Sequence, residues 1–358
     1  MLGLFGEAGS LLSALKKHLR EKESFTTYEK VVEEELGDCL WYLANTCSRL
    51  NIDLDHLALE IANITMSTFP NIQARAPNMD QLQALATATL IYREPTFEAD
   101  LFQLGSAAGR LLEFSKDPNS PELRDALREM LRVIAQASAH AQVSLATAAK
   151  NNLEKNKSRW PGEEREYVEL FDNHYPEEER LPRNIEITFR EYTRGGRTFV
   201  IQRCNEINIG DRLTDNKIDP DDYRFHDVFH MAYAVHLGWS PVSRALFKVK
   251  RKSNAATDEG QDGARAIIIE EGLSTWIFGR ASGLRFFEGA ESVDYSLLKS
   301  IQDFVKGYEV DRCHLWQWEK AILDGHKVFR ELRKYRGGTV TADLVSHTLE
   351  FRRLDESN

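Results

Sequence analysis

Four side chains near the start of the chain have the types and spacing for metal chemistry. Glu7 and Ser10 are three apart on one predicted helix, and Glu35 and Asp38 are three apart on the next. Residues three apart share a helix face, so two such helices packed antiparallel can point Glu7, Glu35 and Asp38 into one space. Several buried carboxylates cannot all stay ionised without a cation. Mg²⁺ suits them, being a hard ion that bridges a few carboxylates to substrate phosphates. The plainer alternative is a solvated acidic face, the usual meaning of a run such as Glu33-Glu34-Glu35. Spacing alone favours that alternative.

A second constellation lies far downstream. His226-Asp227-Val228-Phe229-His230 puts two imidazoles four apart on one helix face, a spacing that lets both reach one metal. The apolar stretch Arg265 to Gly272 embeds Glu270 and Glu271, and acids in such a setting need partners if buried. His226, His230 and one of Glu270 or Glu271 would form a three-ligand site for Zn, Mn or Fe. Its open position could activate water. Asp227 stands where a His-Glu-x-x-His protease carries its Glu, so that class does not follow. The order also differs from His…His-Asp…Asp phosphohydrolases. A buried His–Glu network that stiffens two helices is an equal alternative. Asp211, Asp215 and Asn216 could line the same pocket. Lys248, Lys250, Arg251 and Lys252 could receive a phosphate, although a solvated helix end is the commoner meaning of such a cluster. Trp316 and Trp318 read as core and rim aromatics.

The elements that position these residues change character along the chain. From Met1 to about Pro161 apolar residues recur at three- and four-residue steps, which predicts helices. Pro70, Pro77, Pro95, Pro118 and Pro161 punctuate them. This half carries a weak repeat, with copies over about 1–70 and 81–161. Gly6 to Leu12 resembles Gly105 to Leu112, and Asn51 to Leu54 resembles Gln142 to Leu145. Residues 162–183, rich in Glu, Arg and Pro, read as a linker with a short helix. Ile185 to Tyr192 then alternates, Thr193 to Gly196 turns and Arg197 to Ile201 resumes, which predicts a β-hairpin. Asp219-Pro220-Asp221-Asp222 reads as the start of the histidine helix and Gly238 as its stop. Further helices are expected near 241–252, 263–281, 294–308 and 310–334. The second domain, 184–358, is therefore expected to be mostly helical with a small hairpin, and the chain as a whole mainly α.

Composition bounds the functions. The chain has 358 residues, room for two domains of ordinary size. Hydrophobic residues are 42% and charged residues 28%, the balance of a globular protein. No apolar run nears the roughly eighteen residues of a membrane span, and the start lacks a signal-peptide pattern, so a cytoplasmic protein without a membrane partner is expected. Cys39, Cys47, Cys204 and Cys313 show no Cys-x-x-Cys spacing, which predicts reduced thiols. A net charge of −10 argues against long nucleic acid as a partner. Small nucleotides remain accessible, because a bound divalent cation supplies positive charge locally.

Gly3 to Ser10, followed by Glu34-Glu35-Leu36-Gly37-Asp38-Cys39-Leu40-Trp41-Tyr42-Leu43-Ala44, resembles the paired acidic motif of MazG-type nucleotide pyrophosphohydrolases, Glu-x-x-Glu then Glu-x-x-Asp. The resemblance covers about residues 1–161. It implies an all-α tandem module that hydrolyses (d)NTPs to monophosphate and pyrophosphate with Mg²⁺. By position it makes Glu7, Glu35 and Asp38 metal ligands and catalytic residues. Asn152 to Pro161 resembles the family's closing segment, which makes Asn152 and Lys155 nucleotide contacts. The first copy keeps the acids and the second, with Ala107 and Arg110 near the acidic positions, keeps the Asn/Lys pattern; one composite site is therefore expected. Family members are dimers or dimers of dimers, which implies a homo-oligomer. Ser10 replaces the second Glu of Glu-x-x-Glu. The motif also begins almost at Met1 without the family's preceding helix, implying either a natural start further upstream or a truncated first copy. The alternative function is a degenerate nucleotide-sensing or assembly module, with any chemistry at His226, His230 and Glu270/Glu271.

Overall fold

The computed structural model describes residues 1–72, 79–90, 92, 96–114, 120–162 and 165–354. Pro77, Pro95 and Pro118 lie outside them. The chain forms two compact units, Met1–Lys157 and Ser158–Asn358, and the described residues are mainly α.

The first unit is helical throughout: α1 (Leu2–Glu21), α2 (Tyr28–Arg49), α3 (Leu54–Thr68), α4 (Met79–Leu90), α5 (Phe97–Glu113), α6 (Pro121–His140) and α7 (Leu145–Arg159). Local chemistry sets several starts. The Asp53 carboxylate accepts from the Asp55 N–H ahead of α3, the Thr96 hydroxyl oxygen accepts from the Ala99 N–H at α5, and Pro121 opens α6. Leu4 and Leu11 of α1, Leu36 and Leu43 of α2, Leu104 and Leu111 of α5 and Leu127 and Ile134 of α6 meet in one core. Their seven-residue steps belong to the apolar stripes seen in the sequence. α5, α6 and α7 follow one another as α1, α2 and α3 do, and α4 precedes them.

The second unit packs helices on one antiparallel sheet. Its strands are β1 (Asn184–Arg194), β2 (Arg197–Cys204), β3 (Ile207–Leu213), β4 (Gly337–Asp343) and β5 (Thr348–Arg352), in the order β3-β2-β1-β4-β5. The expected hairpin is present. Arg194 pairs with Arg197 across Gly195 and Gly196, whose φ values of 59° and 74° are those of a primed two-residue turn. Ile185, Ile187 and Phe189 of β1 face the core, and Ile187 sits opposite Val340 of β4. The helices are α8 (Asp227–Leu237), α9 (Pro241–Phe247), α10 (Ala255–Gly260), α11 (Ala264–Ser282), α12 (Tyr295–Val305) and α13 (Leu315–Tyr335). Every residue of α8 from Val228 to Leu237 is buried, so it is a central helix rather than an amphipathic surface one.

Four expectations change. The histidine helix starts at Asp227, not Asp219, because Asp222 takes a left-handed φ of 70° and its carboxylate accepts from Arg224, Arg333 and Arg336. Gly238, with φ 63°, does stop it. Residues 165–183 are no free linker. Buried Asp172 pairs with Arg183 at 2.7 Å and with Arg244 at 2.8 Å, and Leu181 joins the core. Arg251 of the basic cluster is likewise buried, paired with Asp262 at 2.7 Å and Glu309 at 2.6 Å. It is neither a solvated helix end nor free for phosphate. Trp316 and Trp318 are both core residues.

Candidate functional site

The buried stripe Leu4, Ala8 and Leu11 docks α1, and Leu36, Cys39, Leu40 and Leu43 dock α2. Glu7, Glu35 and Asp38 sit half-buried beside these stripes, and each offers a carboxylate oxygen within 4.8 Å of the others. The Glu35 carboxyl hydrogen-bonds Glu7. Burial first, then the charges of Glu7 and Asp38, push Glu35 up to about 8. Burial and Asp38 also raise Glu7. Such mutual repulsion is the signature of a site short of positive charge. Ser10 adds no carboxylate. The three hard oxygen donors fit Mg²⁺.

The nucleotide-side residues reach the same place from α7. Asn152, 5% exposed, donates from Nδ2 to Asp38 Oδ1. Lys155 Nζ donates to both Asp38 oxygens, at 2.7 Å to Oδ2, and lies 3.7 Å from Glu34. Asn156 Nδ2 donates to Asn152 Oδ1 at 2.7 Å and fixes the orientation of that amide. Gly37 permits the approach: a Cβ there would lie 2.6 Å from the Ala148 carbonyl oxygen of α7. The geometry thus joins Glu7 of α1 and Glu35 and Asp38 of α2 with Asn152 and Lys155 of α7. Gly37, Glu34 and Asn156 were not singled out beforehand. Asn156 could have been found from its four-residue step after Asn152.

In the second unit, His226 caps α8 and His230 follows one turn later. His226 Nδ1 donates to the Tyr223 carbonyl oxygen at 2.9 Å, and its ring stacks on Tyr223 at 4.2 Å. His230 Nδ1 donates to Glu270 Oε1 at 2.8 Å. Each Nε2 therefore turns toward Glu271 of α11, whose Oε2 is 3.8 Å from His226 and 3.6 Å from His230. These three offer ligand atoms within 4.8 Å of one another. Of the two acids expected as alternatives, Glu271 is the one in that set and Glu270 is not. It is fully buried and also accepts from the Ser240 hydroxyl at 2.7 Å and the Val242 N–H at 2.8 Å. Burial disfavours the His230 imidazolium, but Glu270 and Glu271 outweigh it and raise its pKa well above the usual value. Burial lowers that of His226. Asp227, 3.1 Å from His226 Nε2, accepts from Gln202 of β2, a residue the sequence did not flag. Asp215 pairs with Arg224, so its carboxylate is engaged there.

Among the described residues no helix is long and apolar enough to cross a membrane. No solved structure matches the chain. A stretch of 76 residues is 33% identical to the "Gene 37 protein" of Mycobacterium phage L5, covering 21% of this chain and 60% of that protein's length. The family model for the "MazG C-terminal domain" matches residues 166–355. This match falls on the second half of the chain, outside residues 1–161, over which the acidic motif carries the expected resemblance. The match spans more than half of the sequence, and the chain belongs to the MazG C-terminal domain family.

Proposed function

We propose that the chain is a Mg²⁺-dependent nucleoside triphosphate pyrophosphohydrolase whose site is shared by the two repeats of its first unit. MazG membership supports a hydrolase of the nucleotide pyrophosphohydrolase kind at the level of the family. The observation that carries the finer reading is the convergence of Asn152 and Lys155 on Asp38, beside Glu7 and Glu35. Side chains from both repeats meet although neither repeat holds the full set.

Mg²⁺, when bound, would supply the positive charge that a triphosphate needs and polarise a water for attack on phosphorus. Glu7, Glu35 and Asp38 would hold it, which relieves the repulsion that raises Glu35 and Glu7. Lys155, a mobile point charge with three donors, would pair with a phosphate oxygen. Asn152, its amide oriented by Asn156, would position the nucleotide. The deciding experiment incubates the full chain with a panel of (d)NTPs and Mg²⁺ and scores monophosphate and pyrophosphate. Release of both in equal amounts is expected; orthophosphate and diphosphate instead, or no turnover of any nucleotide, would reject the reading.

A further inference from the structure

We propose that α8 and α11 of the second unit form a site for a divalent transition-metal ion, ligated by His226 Nε2, His230 Nε2 and the Glu271 carboxylate. Glu270 is its positioning residue. The inference stands apart from the pyrophosphohydrolase reading, because it uses no residue of the first unit.

The hydrogen bonds fix which nitrogen of each ring is available. A backbone carbonyl oxygen only accepts, so the contact to Tyr223 places the His226 proton on Nδ1. The same holds for His230 against the Glu270 carboxylate, which already gathers Ser240 and the Val242 N–H. With both rings neutral, the Nε2 lone pairs face carboxylate oxygens, Glu271 for both and Asp227 in addition for His226. Lone pair against anion is repulsive unless a cation lies between. His230 Nε2 is buried and has no hydrogen-bond partner, which a native interior rarely tolerates without reason.

Metal-ligating histidines characteristically donate their other ring N–H to a carboxylate or a backbone carbonyl. This pair does one of each. Two imidazoles with one carboxylate suit Zn²⁺, Mn²⁺ or Fe²⁺ rather than Mg²⁺, which prefers oxygen throughout. Glu271 has 41% of its side chain exposed whereas His226 and His230 are buried, so the ion would be reached from the Glu271 side. Water could complete the coordination there. The competing arrangement is a protonated His230 held between Glu270 and Glu271, which needs no metal.

The test uses the full chain carrying Glu35→Gln and Asp38→Asn, so that the first unit's acids do not contribute. After treatment with a chelator, the protein is titrated with Co²⁺ and its visible d–d absorption followed. One ion per chain is expected, not displaced by excess Mg²⁺. Glu271→Gln should weaken binding by at least about tenfold, and Glu270→Gln by about 10–100-fold, the usual effect of a residue that orients a ligand. His230→Ala should abolish it. Should His230→Ala fail to fold, Glu271→Gln at its half-exposed position still decides the matter. Folded protein that takes up no Co²⁺, or a spectrum unchanged in both His226→Ala and Glu271→Gln, would establish the metal-free ion pair instead.

Discussion

Asp38 faces Glu7 and Glu35 on one side and Asn152 and Lys155 on the other, so one carboxylate links both halves of the proposed site. Glu35→Gln and Asp38→Asn should each lower pyrophosphate release on the order of 100-fold or more, comparable to losing one group aimed at transition-state charge. The helical circular-dichroism signal should not change. Full activity in both variants would remove the acids from the chemistry. A different residue governs acid stability. His326 is buried against Phe229 and Phe287, and its Nδ1 donates to the Ile322 carbonyl oxygen at 2.8 Å. Burial, helped by the Arg330 charge, holds its pKa down at about 4. The unfolded chain thus binds a proton that the folded chain refuses, and stability present above the ordinary histidine range is lost as pH falls toward about 4. Between neutral pH and about pH 5 this group alone should withdraw about 2 kcal/mol. His326→Leu should flatten the denaturation-midpoint curve over that interval; an unchanged slope would place the sensitivity elsewhere. The carboxylates of the first site could be read from their three-residue steps, but the choice between Glu270 and Glu271 could not. Consecutive helix residues point about 100° apart, so only one of them, Glu271, faces both Nε2 atoms. Ala266, Glu270, Leu273 and Ile277 form the buried stripe of α11, and Glu270 falls on it.

Helix α2 meets α7 at Gly37, where an added Cβ would lie 2.6 Å from the Ala148 carbonyl oxygen. A methyl group there would meet a backbone oxygen rather than a flexible side chain, so the two helices would have to separate. Gly37→Ala should cost about 1–3 kcal/mol, typical of overpacking, and should carry Asn152 and Lys155 away from Asp38. A raised KM for nucleotide together with a lowered Tm is therefore expected from steady-state kinetics and thermal melting. If both stay at their wild-type values, the helices have room to spare and the composite arrangement does not depend on that contact. Elements with local signals were legible: the hairpin through Gly195-Gly196, the stop at Gly238, and the helices near α11 and α13. The start of α8 was not, because Asp219-Pro220 carries a helix-start pattern while three arginines, two of them over a hundred positions away, hold Asp222 outside the helix. Strands β4 and β5 also escaped notice. β4 pairs with β1 across some 150 positions, beyond the reach of local periodicity, and β5 joins the sheet only through β4.

At the scale of the whole chain, the two units have separate apolar cores with no residue in common. Composition had suggested a boundary followed by a loose connector. The connector's polar residues instead make buried ion pairs: Asp172 holds Arg183 of the same segment and Arg244 of α9, a partner invisible in the sequence because it lies 72 positions away. Charged residues in a Glu/Arg/Pro-rich segment look alike whether solvated or paired. With two cores, calorimetry should resolve two unfolding transitions. Leu36 is fully buried in the first core and Leu298 in the second. Leu36→Ala should destabilise one transition by about 2–5 kcal/mol, the range for emptying a buried leucine site, and leave the other in place. Leu298→Ala should do the reverse, and the double variant should show both losses without an extra coupling beyond about 0.5 kcal/mol. Mg²⁺ with a non-hydrolysable nucleotide should raise only the transition that Leu36→Ala lowers, since a ligand stabilises the unit that binds it. A single transition that moves as a whole with either substitution would mean that the units fold as one, and Mg²⁺ raising the Leu298-sensitive transition would relocate the proposed nucleotide site to the second unit.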